Sequence, residues 1–315
     1  MNRIALSLTV AALGFGMPVV PLHADQARTF VSAAAGDDGG GTNVDCLRLS
    51  PCKTFAQAAA HTLANGEITV LDPGSYGAVT ITQNISIVND GVGEAGILVS
   101  GGNTAITVNA PGAAVTLRGL TIKGIGFGGG DGIVFQAGKA LNVENCTIRN
   151  LTAGGPAQGS GIIFVPSAGT ANLTVTNTTI TDNFNFGIVV QPSGSASVTG
   201  FLSKVGLHSN GFAGLRLFDF NTSGTLRFVV IDSAVSNNAT EGFLGSARIL
   251  LFLVRCVVAN NGTGILSGGV VRTSQSAIMA NGSGWATDGV ISTYGDNLVV
   301  DSGNNTGTLT PIGKQ

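Results

Sequence analysis

Short runs of alternating apolar and polar residues recur along most of the chain, at intervals of 20 to 32 residues. The segment TNTTITDNFNFGIVV, residues 176–190, shows the unit: β-branched residues, then Asn183, then Gly187 and aliphatic residues. An aliphatic residue stands three positions before Asn183 and at the matching place in six other units: Ile122, Ile148, Ile180, Leu207, Val235, Val258 and Ile278. Two residues earlier, a second column is small or apolar: Leu120, Cys146, Thr178, Val205, Ser233, Cys256 and Ser276. The spacing of two places both columns on one face of a short strand.

A second strand precedes this one in each unit, and the alternation slips by one residue between the two. Inward pairs such as Val115 and Leu117, or Leu251 and Leu253, mark the earlier strand. The slips fall at Arg118-Gly119, Glu144-Asn145, Thr176-Asn177, Ser203-Lys204, Ile231-Asp232 and Val254-Arg255. A slip would turn the apolar face outward unless the chain bends there. Each unit is therefore predicted to turn a corner between its two strands.

Five units carry an asparagine three residues after the aliphatic column, followed by Gly and an aliphatic residue. These are Asn183, Asn210, Asn238, Asn261 and Asn281. Asn tolerates left-handed backbone geometry, and stacked Asn side chains hydrogen-bond along a ladder. Each unit thus contains a strand, a corner at Asn, a turn at Gly and a further strand. This order predicts an all-β fold, a single-stranded right-handed parallel β-helix of about nine coils. A propeller needs longer repeats, and an antiparallel sandwich favours two-residue Asn-Gly hairpins.

The segment before the coils predicts a short N-terminal capping helix, which would cover the exposed first coil. Thr54 can N-cap it and Asn65-Gly66 can end it. Its apolar face would comprise Phe55, Ala58, Ala59, Thr62 and Leu63. The chain then divides into a signal peptide (1–24), a segment with a Cys loop and the capping helix (25–65), the β-helix (66–300) and a C-terminal tail (301–315).

Residues 1–24 have the order of a secretory signal peptide: Arg3, an apolar run to about Val20 and a small residue at Ala24. We therefore expect export, to the periplasm, the cell surface or the medium. The alternative, a membrane anchor, is disfavoured because Gly and Pro interrupt a run that is short for a span. No later stretch is apolar and long enough, so no transmembrane segment is expected in the mature chain.

Export permits disulfides, and the chain has four cysteines. Cys46 and Cys52 lie close together in a polar loop and are expected to pair. Cys146 and Cys256 lie within apolar strand patterns, which favours two buried thiols.

Composition agrees with short strands and tight turns. The chain has 48 Gly, only 10% charged residues and a net charge of −2. Gly and Asn supply the positive-φ positions that turns need, and the near-zero charge argues against a nucleic-acid partner. Only His61 and His208 follow the signal region, too few for a His-based metal centre.

The segment KTFAQAAAHTLANGEITVLDPGSYGAVTI and the recurring N…GI pattern resemble the pectate-lyase-like superfamily of secreted parallel β-helices over about residues 28–300. The resemblance implies the fold, while the activity is left open because the superfamily holds lyases, hydrolases, epimerases, tailspikes and proteins with no known catalysis. The Arg-x-Pro-x-x-Arg and Trp-Ile-Asp-His stretches of its pectate lyases do not occur here. The polygalacturonase elements are missing too, apart from an acid pair in GDDGG before the first coil, so no family site residue is carried over.

One outward column, directly after the aliphatic one, carries candidate chemistry. Its members are Lys123, Arg149, Thr181, His208 and Ser236, with Asp182 beside it and Arg216 on the following strand. A basic stripe with one acid suits an acidic sugar, and ordinary surface charge is the alternative. No carboxylate pair with the spacing of a glycoside hydrolase appears in the columns. Glu144 over Arg118, and Asp232 between Lys204 and Arg255, are predicted to form ion ladders at the first corner.

On the strand after Gly, an outward row is aliphatic at five of six positions: Val134, Ile163, Val189, Leu244 and Leu266, with Arg216 as the exception. An exposed apolar row of this length indicates a covering loop, such as residues 151–160, or a homo-oligomer.

Three functions are compatible with these sequence features. The first is an exported protein that binds carbohydrate or another surface partner without a recognisable catalytic set. The second is a lyase acting on acidic polysaccharide, with Ca²⁺ as cofactor under that alternative only. The third is an adhesin-like structural rod.

Overall fold

The chain folds as a parallel β-helix, as the sequence predicted. The computed structural model describes residues 26–39, 45–126, 128–153, 155 and 158–313, so the proposed signal peptide lies outside the described residues. Each strand pairs in parallel with the strands one coil before and one coil after it. Three sheets of twelve, ten and nine strands result, and the nine-stranded sheet matches the expected number of coils.

Successive strands of a coil belong to sheets 1, 2 and 3 in turn. Sheet 1 contains β1 (Gln26–Val31), β2 (Thr62–Val70), β5 (Ile85–Val88), β8 (Ala114–Arg118), β11 (Ala140–Glu144), β14 (Thr170–Thr176), β17 (Ser197–Ser203), β20 (Leu226–Ile231), β23 (Ile249–Val254), β26 (Val270–Ser274), β29 (Val290–Thr293) and β31 (Leu309–Pro311). Sheet 2 contains β3 (Gly74–Ser75), β6 (Ala95–Val99), β9 (Leu120–Gly124), β12 (Thr147–Arg149), β15 (Thr179–Thr181), β18 (Gly206–His208), β21 (Ala234–Ser236), β24 (Val257–Ala259), β27 (Ala277–Met279) and β30 (Leu298–Val300). Sheet 3 contains β4 (Val79–Ile81), β7 (Ile106–Asn109), β10 (Ile133–Ala137), β13 (Ile162–Phe164), β16 (Ile188–Val190), β19 (Leu215–Leu217), β22 (Glu241–Gly245), β25 (Thr263–Ser267) and β28 (Ser283–Thr287).

The core is the interior of the coil, filled by the inward columns of all three sheets. The aliphatic column of sheet 2 stacks in register, with Ile122, Ile148 and Ile180 aligned on β9, β12 and β15 and fully buried. On sheet 1, Phe228 fills the column opposite Gly200 of the preceding coil, where a Cβ would lie 1.9 Å from the ring. The Phe228 ring therefore also fills the space that a side chain at position 200 would occupy.

The predicted corner between sheets 1 and 2 is a single residue in left-handed conformation. Its members have φ between 46° and 72°: Gly119, Asn145, Asn177, Lys204, Asp232, Arg255 and Gln275. One left-handed residue reverses the alternation without adding a loop, which is the slip seen in the sequence. Arg255 pairs with Asp232 through both carboxylate oxygens, at 2.6 and 3.0 Å, as expected for the ion ladder. Arg118 instead pairs with Asp90, at 2.7 Å, rather than with Glu144.

The second corner contains the asparagine ladder, and here the expected left-handed residue is off by one. The left-handed residues are the preceding ones, such as Asp182 (φ 56°), Ser209 (φ 52°) and Asn237 (φ 57°). The ladder asparagines themselves are buried, and their amides bond to one another over 2.9 to 3.0 Å along the stack. The left-handed residue turns the chain so that the next side chain, the asparagine, enters the interior.

In each coil, the glycine that follows the ladder asparagine is required because the next coil lies too close for a side chain. Its φ is not positive. A Cβ on Gly187 would lie 2.6 Å from the carbonyl oxygen of Gly214 and 3.1 Å from Nδ2 of Asn210. The same contact recurs at Gly242, at 2.6 and 3.0 Å from Gly264 O and Asn261 Nδ2. Because any side chain there would strike the next coil, the Gly-aliphatic pair recurs with the asparagine.

The N-terminal cap is a seven-residue helix, α1 (Phe55–His61), capped by Thr54, whose side chain accepts a hydrogen bond from Gln57 N. The expectation that Asn65-Gly66 ends it is wrong. β2 begins at Thr62, whose hydroxyl donates to Ala58 O and bonds the Thr29 hydroxyl of β1, while Leu63 is exposed. Pairing with β1 pulls the chain into a strand one turn early. Two strands lie outside the predicted β-helix: β1, which precedes the cap, and β31, which lies in the predicted tail.

The cysteines are arranged as expected. Cys46 and Cys52 form a disulfide, and Cys146 and Cys256 are free and buried. Burial raises the pKa of both thiols to about 11, so they remain protonated. Within the described ranges, no helix has the length and hydropathy needed to cross a bilayer.

Candidate functional site

The basic stripe forms on the outer face of sheet 2. Lys123 aligns with Arg149 on the next strand, and Arg149 aligns with Thr181, which aligns with His208. All four side chains are half-buried. At the strand spacing of about 4.8 Å, Lys123 and Arg149 are immediate neighbours and His208 lies two strands further along.

Charges on the stripe are only partly compensated. Among the described residues, no carboxylate lies within 4 Å of Lys123 or Arg149, and Arg149 Nε is buried without a hydrogen-bond partner. Burial lowers the pKa of His208, against the opposing charge of Asp182, so the imidazole is neutral at pH 7. Its Nδ1 lies 2.9 Å from Ser236 Oγ.

Asp182 stands at the second corner, where it links the stripe to a groove. Its side chain is exposed, and its Oδ2 accepts a hydrogen bond of 3.0 Å from the Thr181 hydroxyl. The groove, here called the corner groove, has a volume of about 440 Å³. It is lined by Thr152, Asp182, Asn183, Phe184, Asn185, Ser209, Gly211 and Phe212. Phe184 and Phe212 are large apolar side chains that remain exposed there, at 49% and 39%.

The turns of neighbouring coils hold these two rings in place. Gly211 N donates to Asn183 O and Phe212 N donates to Asn185 O, each over 2.8 Å. Gly155, which precedes β13, reaches the same place, since Asn185 Nδ2 donates to its carbonyl oxygen over 3.1 Å. The corner groove is thus built by three successive turns in fixed register.

Arg216 lies around the corner, on the outer face of sheet 3, and is not part of the stripe. Its guanidinium carbon is 3.8 Å from the centre of the Phe218 ring and 4.8 Å from that of Phe186. Phe186 in turn meets Phe212 edge-on, with centroids 5.2 Å apart. The aromatic contacts therefore run from the corner groove to Arg216.

The aliphatic row on sheet 3 is less exposed than the sequence suggested. Val189 is buried and packs with Phe186 and Ala213, and Ile163 and Leu244 pack against this cluster. Val134 and Leu266 are half-buried. Side chains of the second corner fold over the middle of the row, while the predicted cover, residues 151–160, touches its edge through Ser160.

Sequence reasoning missed the aromatic residues of the corner groove. Phe184 and Phe212 occupy turn positions outside every column, where no periodicity applies. The available signal was compositional: three of the 15 Phe residues fall in the two turns DNFNFG and SNGFAG.

The described residues contain no cluster of three His, Cys, Asp or Glu side chains placed to hold a metal ion. Asp131 is a buried carboxylate that contacts the backbone of Ser160 and Gly159. Burial raises its pKa, against hydrogen bonds from the backbone of Ser160 and Gly159. The bond from Ser160 N, at 3.1 Å, ties it into the turn. Its contacts indicate a structural role.

Comparisons with known proteins agree with this architecture. The chain superposes on pectate lyase Pel9A with a TM-score of 0.53 and 14% identity, covering 92% of this chain and 80% of that one. It superposes on the GH136 lacto-N-biosidase from Eubacterium ramulus with a TM-score of 0.54 and 12% identity, covering 91% of this chain and 68% of that one. At these identities the likeness concerns the fold. No curated protein sequence matches the chain.

The family model described as "Right handed beta helix region" matches residues 104–306, more than half of the chain. The match also confirms the predicted handedness. The chain therefore belongs to the family of right-handed β-helix proteins.

Proposed function

We propose that this is an exported β-helix protein that binds carbohydrate in the corner groove. The observation that carries the proposal is the pair of exposed phenyl rings, Phe184 and Phe212, flanking a groove lined by hydroxyl, amide and carboxylate groups. Sugar rings present apolar C–H faces and polar edges, so a site for them combines aromatic platforms with a few polar groups. The corner groove offers both on turns held rigidly by the stack.

Two further observations support the setting. The Cys46–Cys52 disulfide fits an oxidising compartment, as does the secretory pattern of residues 1–24. Both superposed neighbours are, by name, saccharide-active enzymes, a pectate lyase and a lacto-N-biosidase. These neighbours share the fold at low identity, so they suggest the ligand class while the groove supplies the specific argument.

Replacing both rings, Phe184→Ala with Phe212→Ala, is expected to weaken saccharide binding about tenfold, since packing against one aromatic ring contributes about 0.5–1.5 kcal/mol. A glycan array identifies the ligand, and calorimetry then compares the variants. Phe201→Ala is the matched control, because Phe201 is also 39% exposed but lies on the outer face of sheet 1. Equal loss in the control, or undiminished binding by the double variant, would contradict the proposal.

A second candidate function is a lyase acting on acidic polysaccharide at the stripe. It is favoured by two adjacent cations without carboxylate partners among the described residues, Lys123 and Arg149, on the face that carries the neutral His208 two strands further along. Cations of this kind can neutralise a substrate carboxylate while a neutral base removes the adjacent proton. Ca²⁺ is proposed as a cofactor under this alternative alone.

The lyase candidate predicts a rise in ultraviolet absorbance from unsaturated uronate when the protein meets acidic polysaccharides. The rise should vanish in the triple variant Lys123→Ala, Arg149→Ala, His208→Ala. Because the pKa of His208 is lowered, the base stays neutral to a pH below 6.5 and activity should fall only below that value. A flat trace over a panel of acidic polysaccharides, with and without calcium, would remove the lyase and leave the binding function.

A further inference from the structure

A small pocket next to the corner groove contains an arginine that forms no salt bridge within 4 Å among the described residues. The pocket has a volume of about 220 Å³ and is lined by Ser160, Ile163, Val165, Asn185, Phe186, Val189, Gln191 and Arg216. Asn185 also lines the corner groove, so the pocket and the groove adjoin at this residue.

Arg216 departs from the pattern of its own column. Val189 and Leu244 flank it on the neighbouring strands, and the column is otherwise aliphatic from Val134 to Leu266. A cation in an apolar row loses hydration and gains nothing from burial unless it is paired. The loss of hydration at Arg216 therefore has to be offset by a partner.

The partners of Arg216 are rings and not carboxylates. The guanidinium lies over two phenyl rings, Phe186 and Phe218, and its Nε is buried with no hydrogen-bond partner. Over the part of the chain that the structure describes, no carboxylate oxygen lies within 4 Å of it. The nearby acid, Glu241, accepts a hydrogen bond from the Thr240 hydroxyl.

Contact with two rings restricts the orientations that the planar guanidinium of Arg216 can adopt. Such a fork binds carboxylate and sulfate groups through two parallel hydrogen bonds. Ser160 and Gln191 supply further polar groups on the pocket wall, and the apolar walls of Ile163 and Val189 strengthen the interaction by excluding water.

We propose that this pocket binds an oxyanion substituent, carboxylate or sulfate, of the saccharide that occupies the corner groove. The inference rests on the proposed binding function and deepens it, because it sets the charge of the ligand. Stacking in the groove holds the sugar ring, and Arg216 selects the sugar that carries an anionic group at the adjoining position.

The test compares matched oligosaccharides that differ only in charge. One arm uses uronate oligosaccharides and their carboxyl-reduced forms, and the other uses sulfated oligosaccharides and their desulfated forms. Calorimetry on the full mature protein is expected to show a preference for the charged member of at least about tenfold in one arm. That arm identifies the oxyanion.

The preference is expected to fall to near one in Arg216→Gln and in Arg216→Leu. The leucine variant restores the aliphatic column and should fold even if the glutamine variant does not. Arg272→Gln is the matched control, since Arg272 also lies over a ring, Phe252, at 5.4 Å, but on sheet 1, and it should keep the preference.

The outcomes separate the two proposals. If charged and neutral members bind equally to the unaltered protein, or if the preference survives in both Arg216 variants, the oxyanion pocket is refuted and the binding function stands. If neither member of any pair binds the unaltered protein, both proposals are refuted.

Discussion

Asn238→Ala is expected to lower the free energy of unfolding by about 4 kcal/mol, the sum of several orphaned buried hydrogen-bonding groups. Asn238 is buried in the middle of the asparagine ladder. Its Nδ2 donates to Asn261 Oδ1 at 2.9 Å and to Leu207 O at 3.1 Å. Its Oδ1 accepts from both the side chain and the backbone N of Asn210, at 2.9 and 3.1 Å. Alanine removes all four bonds and leaves their buried partners without them.

Urea denaturation followed by far-ultraviolet circular dichroism measures this change. Asn172→Ala is the control, because Asn172 is exposed on β14 and surface substitutions usually change stability by less than about 0.5 kcal/mol. Hydrogen exchange at the Asn210 amide should also rise in Asn238→Ala, as that amide loses its acceptor. Equal stability of the two variants would show that the ladder contributes nothing beyond an ordinary surface amide.

Phe228→Ala is expected to be equally damaging, at about 4 kcal/mol, the usual cost of emptying a buried phenyl site. Phe228 is fully buried, and its ring lies over Gly200 on the adjacent strand. Glycine has no side chain that could move into the vacated space, so the cavity cannot collapse from that side. Thermal or urea unfolding measures the loss.

The pairing with Gly200 gives a sharper version of the same experiment. Gly200→Val alone should cost about 3 kcal/mol, because its Cβ would overlap the ring of Phe228. In the double variant, Gly200→Val with Phe228→Ala, the valine occupies the space that the ring has left. The double variant should therefore be more stable than the two single losses predict, by about 2 kcal/mol or more. Additive losses would mean that the two positions do not share one space.

The coil architecture could be predicted from the sequence because each inward column repeats its residue type on every coil. Ile122, Ile148 and Ile180 align in the structure as they align in the sequence. The slip at Glu144-Asn145 gave the first corner, since one left-handed residue there inverts the alternation. The second corner was assigned one residue late, because Asp182 and Ser209 adopt the left-handed conformation although Asn was the residue type that stood out.

The remaining errors concern interactions between distant parts of the chain. α1 ends at His61 because β2 pairs with β1, a strand that no local pattern indicated. The stripe of Lys123, Arg149 and His208 followed from the register, whereas the corner groove did not. Phe184 and Phe212 meet across it because two turns from different coils are stacked, and turn residues carry no periodic signal.

The stacking has a consequence for how such a chain can change its length. Asn261 and Asn281 are 20 residues apart and their amides are bonded directly, so these 20 residues make up one complete layer. Removing a whole layer would bring the flanking columns together in register, while removing part of one would shift all three sheets at once. The extent of the molecule is therefore adjustable in whole layers, and the corner groove belongs to only a few of them.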